Sequence, residues 1–190
     1  MHRSVFSKML ATYFLIALIS VVLLLGLFIT TYSNQEIDQL YAQMKKESEY
    51  VGLLRSAYEH GLVGDALYRE TLSMIARKYN AILWVVNRVS DPLQGTSYIY
   101  ITEIKGEDFS SVSYDQLLEG AKESFSEVLD GGEVKLLGTF DSALGARSLT
   151  CGVPYYRGAE VRGAIFMHVE MRHLQESITS VVQNVALYTL

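Results

Sequence analysis

The 190-residue sequence predicts an α+β domain placed behind a membrane-spanning helix. Three observations carry that reading. An uncharged apolar run opens the chain, two helical patterns precede the first strand pattern, and after a third helix three strand patterns follow one another directly. The length suits about one domain with appendages.

From Met9 to Ile29 ("MLATYFLIALISVVLLLGLFI") there is no Asp, Glu, Lys or Arg, and 14 of these 21 residues are Leu, Ile, Val or Phe. Twenty-one residues at a helical rise span about 30 Å, the hydrocarbon thickness of a bilayer. Insertion favours them by roughly 4 to 8 kcal/mol before position weighting. Arg3 and Lys8 precede the run, whereas Lys45 and Lys46 are the first basic residues after it, which predicts a cytoplasmic amino terminus. A cleavable signal peptide fits less well, because its apolar region is shorter and "FITTYSNQ" offers a poor small-residue site.

Next, "SNQEIDQLYAQMKKESEYVGLLRSAYEHG" spaces Ile37, Leu40, Met44, Val51, Leu54 and Tyr58 by three, four or seven. It predicts a helix capped by Ser33 or Asn34 and stopped at Gly61. Its apolar stripe either packs on a sheet or, through Ile37, Leu40, Met44, Val51 and Leu54, forms a homodimer seam that passes signals along the helix. A second helix follows in "DALYRETLSMIARKY", with Asp65 as its cap.

"AILWVVN" and "YIYITEI" are β-branched and aromatic runs separated by the turn chemistry of "DPLQGTS". "SYDQLLEGAKESFSEVLDGG" predicts a third helix with a Gly-Gly stop, and "EVKLLGTF", "RSLTCGVPYY" and "EVRGAIFMHV" complete five strands. The last two are joined at Arg157, Gly158 and Ala159 as a hairpin, and Pro154 predicts an edge or bulge there. A final helix from about Glu170 runs into 14 uncharged residues, the expected start of a second membrane helix. The expected divisions are residues 1–8 cytoplasmic, 9–30 in the membrane, 31–175 extracytoplasmic and 176–190 re-entering.

"GVPYYRGAEVRGAIFMHVEM" closes the folded part. It resembles the last hairpin of the extracytoplasmic PAS-like (Cache or PDC) sensor domains of bacterial receptors, with Gly152, Val153 and Pro154 in one strand and Val161, Gly163, Ala164, Ile165 and Phe166 in the next. The local likeness is greatest to membrane-bound sensor histidine kinases. The resemblance implies a PAS-like, mixed and mostly antiparallel five-stranded sheet with a long N-terminal helix and a C-terminal exit helix. It also implies sensing of a small molecule or an envelope protein, whose signal passes through helices into a histidine kinase of a two-component system. Chemoreceptors and cyclic-dinucleotide enzymes carry similar outer domains, and a stand-alone anchored binding protein remains a third possibility.

Catalytic motifs are missing from the sequence. "HVEMRH" sets its histidines five apart rather than in H-E-x-x-H, and His173 is followed by Leu174 and Gln175 rather than by a phosphoacceptor box. There is no phosphate loop and no G-x-S-x-G, so no catalytic residue, metal or cofactor is expected. A net charge of −5 speaks against nucleic acid. Cys151 cannot form an internal disulfide and shares a strand face with Leu149 and Val153, which predicts burial. Alternation sets Tyr98, Tyr100 and Thr102 on one face of their strand, and Ala164, Phe166 and His168 on one face of the last. If these faces coincide, they line a ligand cavity with Arg147, Tyr155 and Tyr156 at its rim.

Overall fold

The computed structural model describes residues 5–91, 96–141, 144 and 147–171. The chain divides into two units, residues 1–38 with 176–190 and residues 39–175. Helix α1 (Val5–Glu59) contributes to both.

The two helices expected at the amino terminus are one. Ser33 and Asn34 cap nothing, because a helix already propagating through an apolar run needs no new nucleus and meets no Pro or Gly from Leu27 to Tyr50. Among the described residues α1 is the one helix long and apolar enough to cross a membrane, with a window of mean hydropathy 2.8 and none of it buried. The hydroxyls of Thr12, Ser20 and Thr30 donate to the carbonyls of Lys8, Ile16 and Gly26, so even these polar groups are satisfied within the helix. At its end Leu62 N–H donates to Ala57 and Gly61 N–H to Tyr58, with Gly61 at φ +71°. That paired closure needs a left-handed residue, and glycine adopts it without a Cβ penalty.

Helix α2 (Asp65–Tyr79) leads through left-handed Asn80 into β1 (Ala81–Asp91). Strands β2 (Thr96–Lys105) and β3 (Asp108–Val112) follow, then a single 3₁₀ turn, α3 (Glu119–Leu129), β4 (Val134–Gly138), β5 (Ser148–Arg157) and β6 (Glu160–Glu170). The sheet has six strands in the order β3-β2-β1-β6-β5-β4, every pair antiparallel. The sequence reading counts five and misses β3, since "DFSSV" is short, polar and mostly exposed, and only its pairing with β2 across Gly106 makes it a strand. The expected exit helix lies outside the described residues.

Pro154 sits where its missing donor costs least. The β4 ladder stops at Gly152, and a register shift follows at Tyr155/Tyr156. Two glycines of the last hairpin have a related cause. Gly152 is paired with Phe166 and Gly163 with Tyr155, and in each pair the ring lies where a Cβ would stand.

One sheet face carries Trp84, Val86, Ile101, Ala164 and Phe166 against Phe125, Val128 and Leu129 of α3. The other carries Leu83, Val85, Ile104, Ile165 and Met167. α2 packs on its β1 and β2 part, and α1 lies against β5 and β6, where a Cβ on Gly52 would be 2.8 Å from Tyr155 Cβ and 3.9 Å from Ile165 Cγ1. Met44 and Val51 are fully buried and Leu54 nearly so, whereas Ile37 and Leu40 are half-buried. The expected homodimer seam therefore loses its last three residues, Met44, Val51 and Leu54, to the core, because the sheet is the nearer apolar partner. Cys151 is buried as expected, and burial pushes its thiol up to about 12.

Candidate functional site

The predicted site residues do not meet in one cavity. Asn87 pairs with Tyr100 and Gly163, while Trp84 pairs with Phe166, so Tyr100 and Phe166 stand on opposite faces of the sheet. Phe166 is buried in the aromatic cluster under α3. Arg147 is exposed, and its carbonyl accepts from Met171 N–H. The backbone of Tyr98 pairs with Val89, and its side chain lies outside the described residues. The remaining four fall into three separate concavities.

The largest, of about 680 Å³, takes Tyr100 and Thr102. α1 supplies Arg55 and Tyr58, α2 supplies Asp65, Tyr68 and Arg69, and β3 supplies Phe109, Ser110 and Ser111. α1 and α2 meet here because the Gly61 turn folds α2 back over β1 and β2. The rings of Tyr58 and Tyr68 stack at 4.5 Å, with the Arg55 guanidinium 5.5 and 5.8 Å from their centroids. Arg69 lies 4.2 Å over the Phe109 ring and has no carboxylate partner among the described residues.

Arg55 links this cavity to the sheet. Its Nε donates to Glu59 Oε1 at 3.1 Å, and Tyr155 Oη lies 3.4 Å from the same oxygen while donating to Asn87 Oδ1 at 2.5 Å. Burial pulls the Arg55 guanidinium down, but the Tyr68 and Tyr155 phenols beside it more than offset this and leave it raised. Burial raises both phenols, Tyr155 to about 12, so at neutral pH they remain hydrogen-bond donors. The cavity thus offers the Arg69 guanidinium, the Arg55 guanidinium shared with Glu59, phenols and small hydroxyls, with the Asp65 carboxylate in the same wall, and Arg69 is the group suited to an anionic polar ligand.

The second concavity, of about 320 Å³, lies between α1 and the upper part of β5, with Tyr155 and Tyr156 in its wall. The third, of about 260 Å³, lies where α2 ends and β1 begins, and it takes His168. On the α3 face the rings of Trp84, Phe125, Phe140 and Phe166 pack at centroid distances of 4.6 to 6.1 Å. Among the described residues no group of His, Cys, Asp and Glu could hold a metal ion.

Sequence reasoning missed Arg55, Tyr58, Tyr68 and Arg69. The visible signal is that all four flank the Gly61–Gly64 turn on two helices, but which strand they face depends on how α2 packs.

Several solved structures share this architecture. The ligand-binding domain of the Campylobacter jejuni chemoreceptor Tlp3 in complex with L-norvaline superposes with a TM-score of 0.57 at 11% identity, covering 79% of this chain and 59% of that one. The Tlp3 sensory domain with isoleucine bound gives 0.55 at 11% identity over 79% and 60%. The extracellular domain of vpHK1S-Z8, described as a histidine kinase, gives 0.52 at 15% identity over 80% and 60%. The chain has the fold of a PAS-like extracytoplasmic sensor domain. It spans about three-fifths of the length of each of these matched domains. No protein-family model matches the sequence, and no curated protein matches it.

Proposed function

We propose that the chain is the sensing portion of a membrane receptor, a two-component sensor histidine kinase, with an anionic small molecule entering the Arg55–Arg69 cavity. The observation that carries this is that one helix, α1, both walls the cavity through Arg55 and Tyr58 and carries the apolar run of the amino terminus. A ligand that binds two arrangements of Arg55 differently shifts α1 between them, and a helix is the covalent route into a bilayer. The positive-inside bias of Arg3 and Lys8 supports a cytoplasmic amino terminus with residues 31–175 outside. The likeness to Tlp3 favours a second reading, the sensor of a chemoreceptor. The coding sequence beyond residue 190 tests the output: a second membrane helix followed by a phosphoacceptor-histidine helix supports the kinase, and a stop codon sinks both readings.

Ligand entry is tested by thermal unfolding of the full chain in detergent with succinate and with inorganic phosphate. At about 100 Kd a bound anion adds roughly 2.7 kcal/mol. Arg69→Met should abolish that gain while lowering the unliganded midpoint only slightly, since Arg69 is exposed and its contact with the Phe109 ring is worth about 0.5–1 kcal/mol. Equal shifts in wild type and Arg69→Met would exclude this cavity.

A homodimer in the membrane has to use the face of α1 that the sheet leaves open. Leu53 is 72% exposed and Tyr50 49%, whereas Met44 and Val51 are inaccessible. Single cysteines at Tyr50 or Leu53 should crosslink between subunits in membranes, and cysteines at Met44 or Val51 should not. Crosslinking at Met44 would contradict the packing of α1 on the sheet.

A further inference from the structure

His168 is 2% exposed, and its Nε2 has no hydrogen-bond partner among the described residues. It lines the cavity of about 260 Å³ at the start of β1 together with Arg77, Asn80, Ile82, Lys105 and Ser148. The other ring nitrogen, Nδ1, is 2.9 Å from Thr150 Oγ1, which is the one partner that the buried threonine hydroxyl has among the described residues. The tautomer in which Thr150 donates leaves fewer groups unanswered than the other. If Nδ1–H donated, the threonine proton would be buried without an acceptor; with the threonine donating to Nδ1, the proton of the ring sits on Nε2. The cavity therefore contains a buried N–H donor that lacks an acceptor, a defect worth about 1–3 kcal/mol that native folds rarely leave unanswered.

The register supplies the rest of the site. Ile82 is paired with both His168 and Lys105, so those two side chains rise from the same face of strands on either side of β1, roughly 10 Å apart at ordinary strand spacing. Lys105 is exposed at the mouth and has no ion-pair partner among the described residues, whereas Arg77 is held by Glu107 at 2.6 Å. Ala76, Ala81, Ile82 and Leu144 form the apolar part of the wall, and Glu170 lines it two residues beyond His168 on the same face of β6. The volume falls below the roughly 300 Å³ at which drug-sized pockets begin. We propose that this cavity binds a short-chain monocarboxylate, one oxygen accepting from His168 Nε2–H, the charge facing Lys105, and the hydrocarbon tail against Ile82 and Leu144.

This site is separate from the Arg55–Arg69 cavity, and its test separates the two. Calorimetric titration of the full chain in detergent with butyrate, and with butyramide as the uncharged control, reads it directly. We expect butyrate to bind with Kd near or below about 1 mM, butyramide at least about tenfold more weakly, and Lys105→Gln to weaken butyrate by a similar factor of about ten, the equivalent of about 1.4 kcal/mol. Lys105 is exposed, so its replacement leaves the fold intact, and Arg69→Met should leave butyrate binding unchanged. An absence of heat with butyrate at about 10 mM, tenfold above that Kd, would mean that water alone answers Nε2, and would overturn the proposal. Binding that survives Lys105→Gln, or that is lost in Arg69→Met, would overturn it as well.

Discussion

Replacing Gly163 by alanine should destabilise the domain by about 3 kcal/mol or more, the upper end of the cost of forcing a methyl group into a packed interior. A Cβ on Gly163 would lie far inside contact distance of the Val86 carbonyl oxygen and 2.5 Å from Cε1 of Tyr155. The ring can tilt, but the carbonyl belongs to the backbone of β1, which is paired with β2 and β6 on either side. Truncating Tyr155 therefore should not rescue the variant, and it would also remove the hydroxyl that donates to Asn87. Gly138→Ala is the matched control, since nothing stands within 4 Å of its Cβ position, and it should cost less than about 1 kcal/mol. Trp84 is the only tryptophan and is fully buried, so its fluorescence during urea unfolding of the full chain in detergent reports both variants. Equal midpoints for Gly163→Ala and Gly138→Ala would show that β1 and β6 are not packed as described.

The same glycine shows why the last hairpin was so legible. "GVPYYRGAEVRGAIFMHV" is two apolar, aromatic and β-branched runs that break at a hairpin turn, with a proline past the end of the β4 ladder, so each local rule agrees with the fold. The expected α+β class, the stop at Gly61 and the burial of Cys151 follow from such local signals. β3 was not legible because its residues are polar and its only reason to extend is the neighbouring edge of β2. The continuity of α1 was obscured by two polar residues that look like caps, although nothing beside them breaks a helix. The expected cavity failed for a different reason. Alternation shows which residues of one strand share a face, but joining Tyr100 to Phe166 needed the register across β1, and an odd offset there puts them on opposite sides. The Met44–Val51 stripe was visible as apolar, yet periodicity alone does not say whether a sheet or a second helix covers it.

Acidification should weaken the fold through His168. Burial pushes its imidazole down to about 3, against 6.5 for the exposed group, because the charged form would sit among Trp84, Phe140 and Phe166 with ring centroids 4.9, 4.8 and 6.3 Å away. The unfolded chain takes up this proton more readily than the folded one, so the histidine has no effect above about pH 6.5 and costs stability as the pH falls from there towards 3. At about pH 5 the loss should reach roughly 2 kcal/mol, from 1.36 kcal/mol for each unit below the unfolded value. The charged groups around the same cavity are Arg77, Lys105 and Glu170, and Glu103 is held beyond Trp84 by its indole N–H at 2.8 Å. Glu170 alone would oppose the effect by favouring the imidazolium, while the two cations reinforce it. Urea midpoints of the full chain in detergent should fall between about pH 7.5 and 5, and His168→Phe should flatten that limb even though it leaves the Thr150 hydroxyl unsatisfied and lowers stability at every pH. A wild-type curve as flat as that of His168→Phe would mean that the imidazole is reached by water or by a carboxylate in the folded state. On the expected steep limb, butyrate adds a further check: a bound carboxylate is the counter-charge that an imidazolium needs, so it should flatten the acid limb of the wild type and leave that of Lys105→Gln steep.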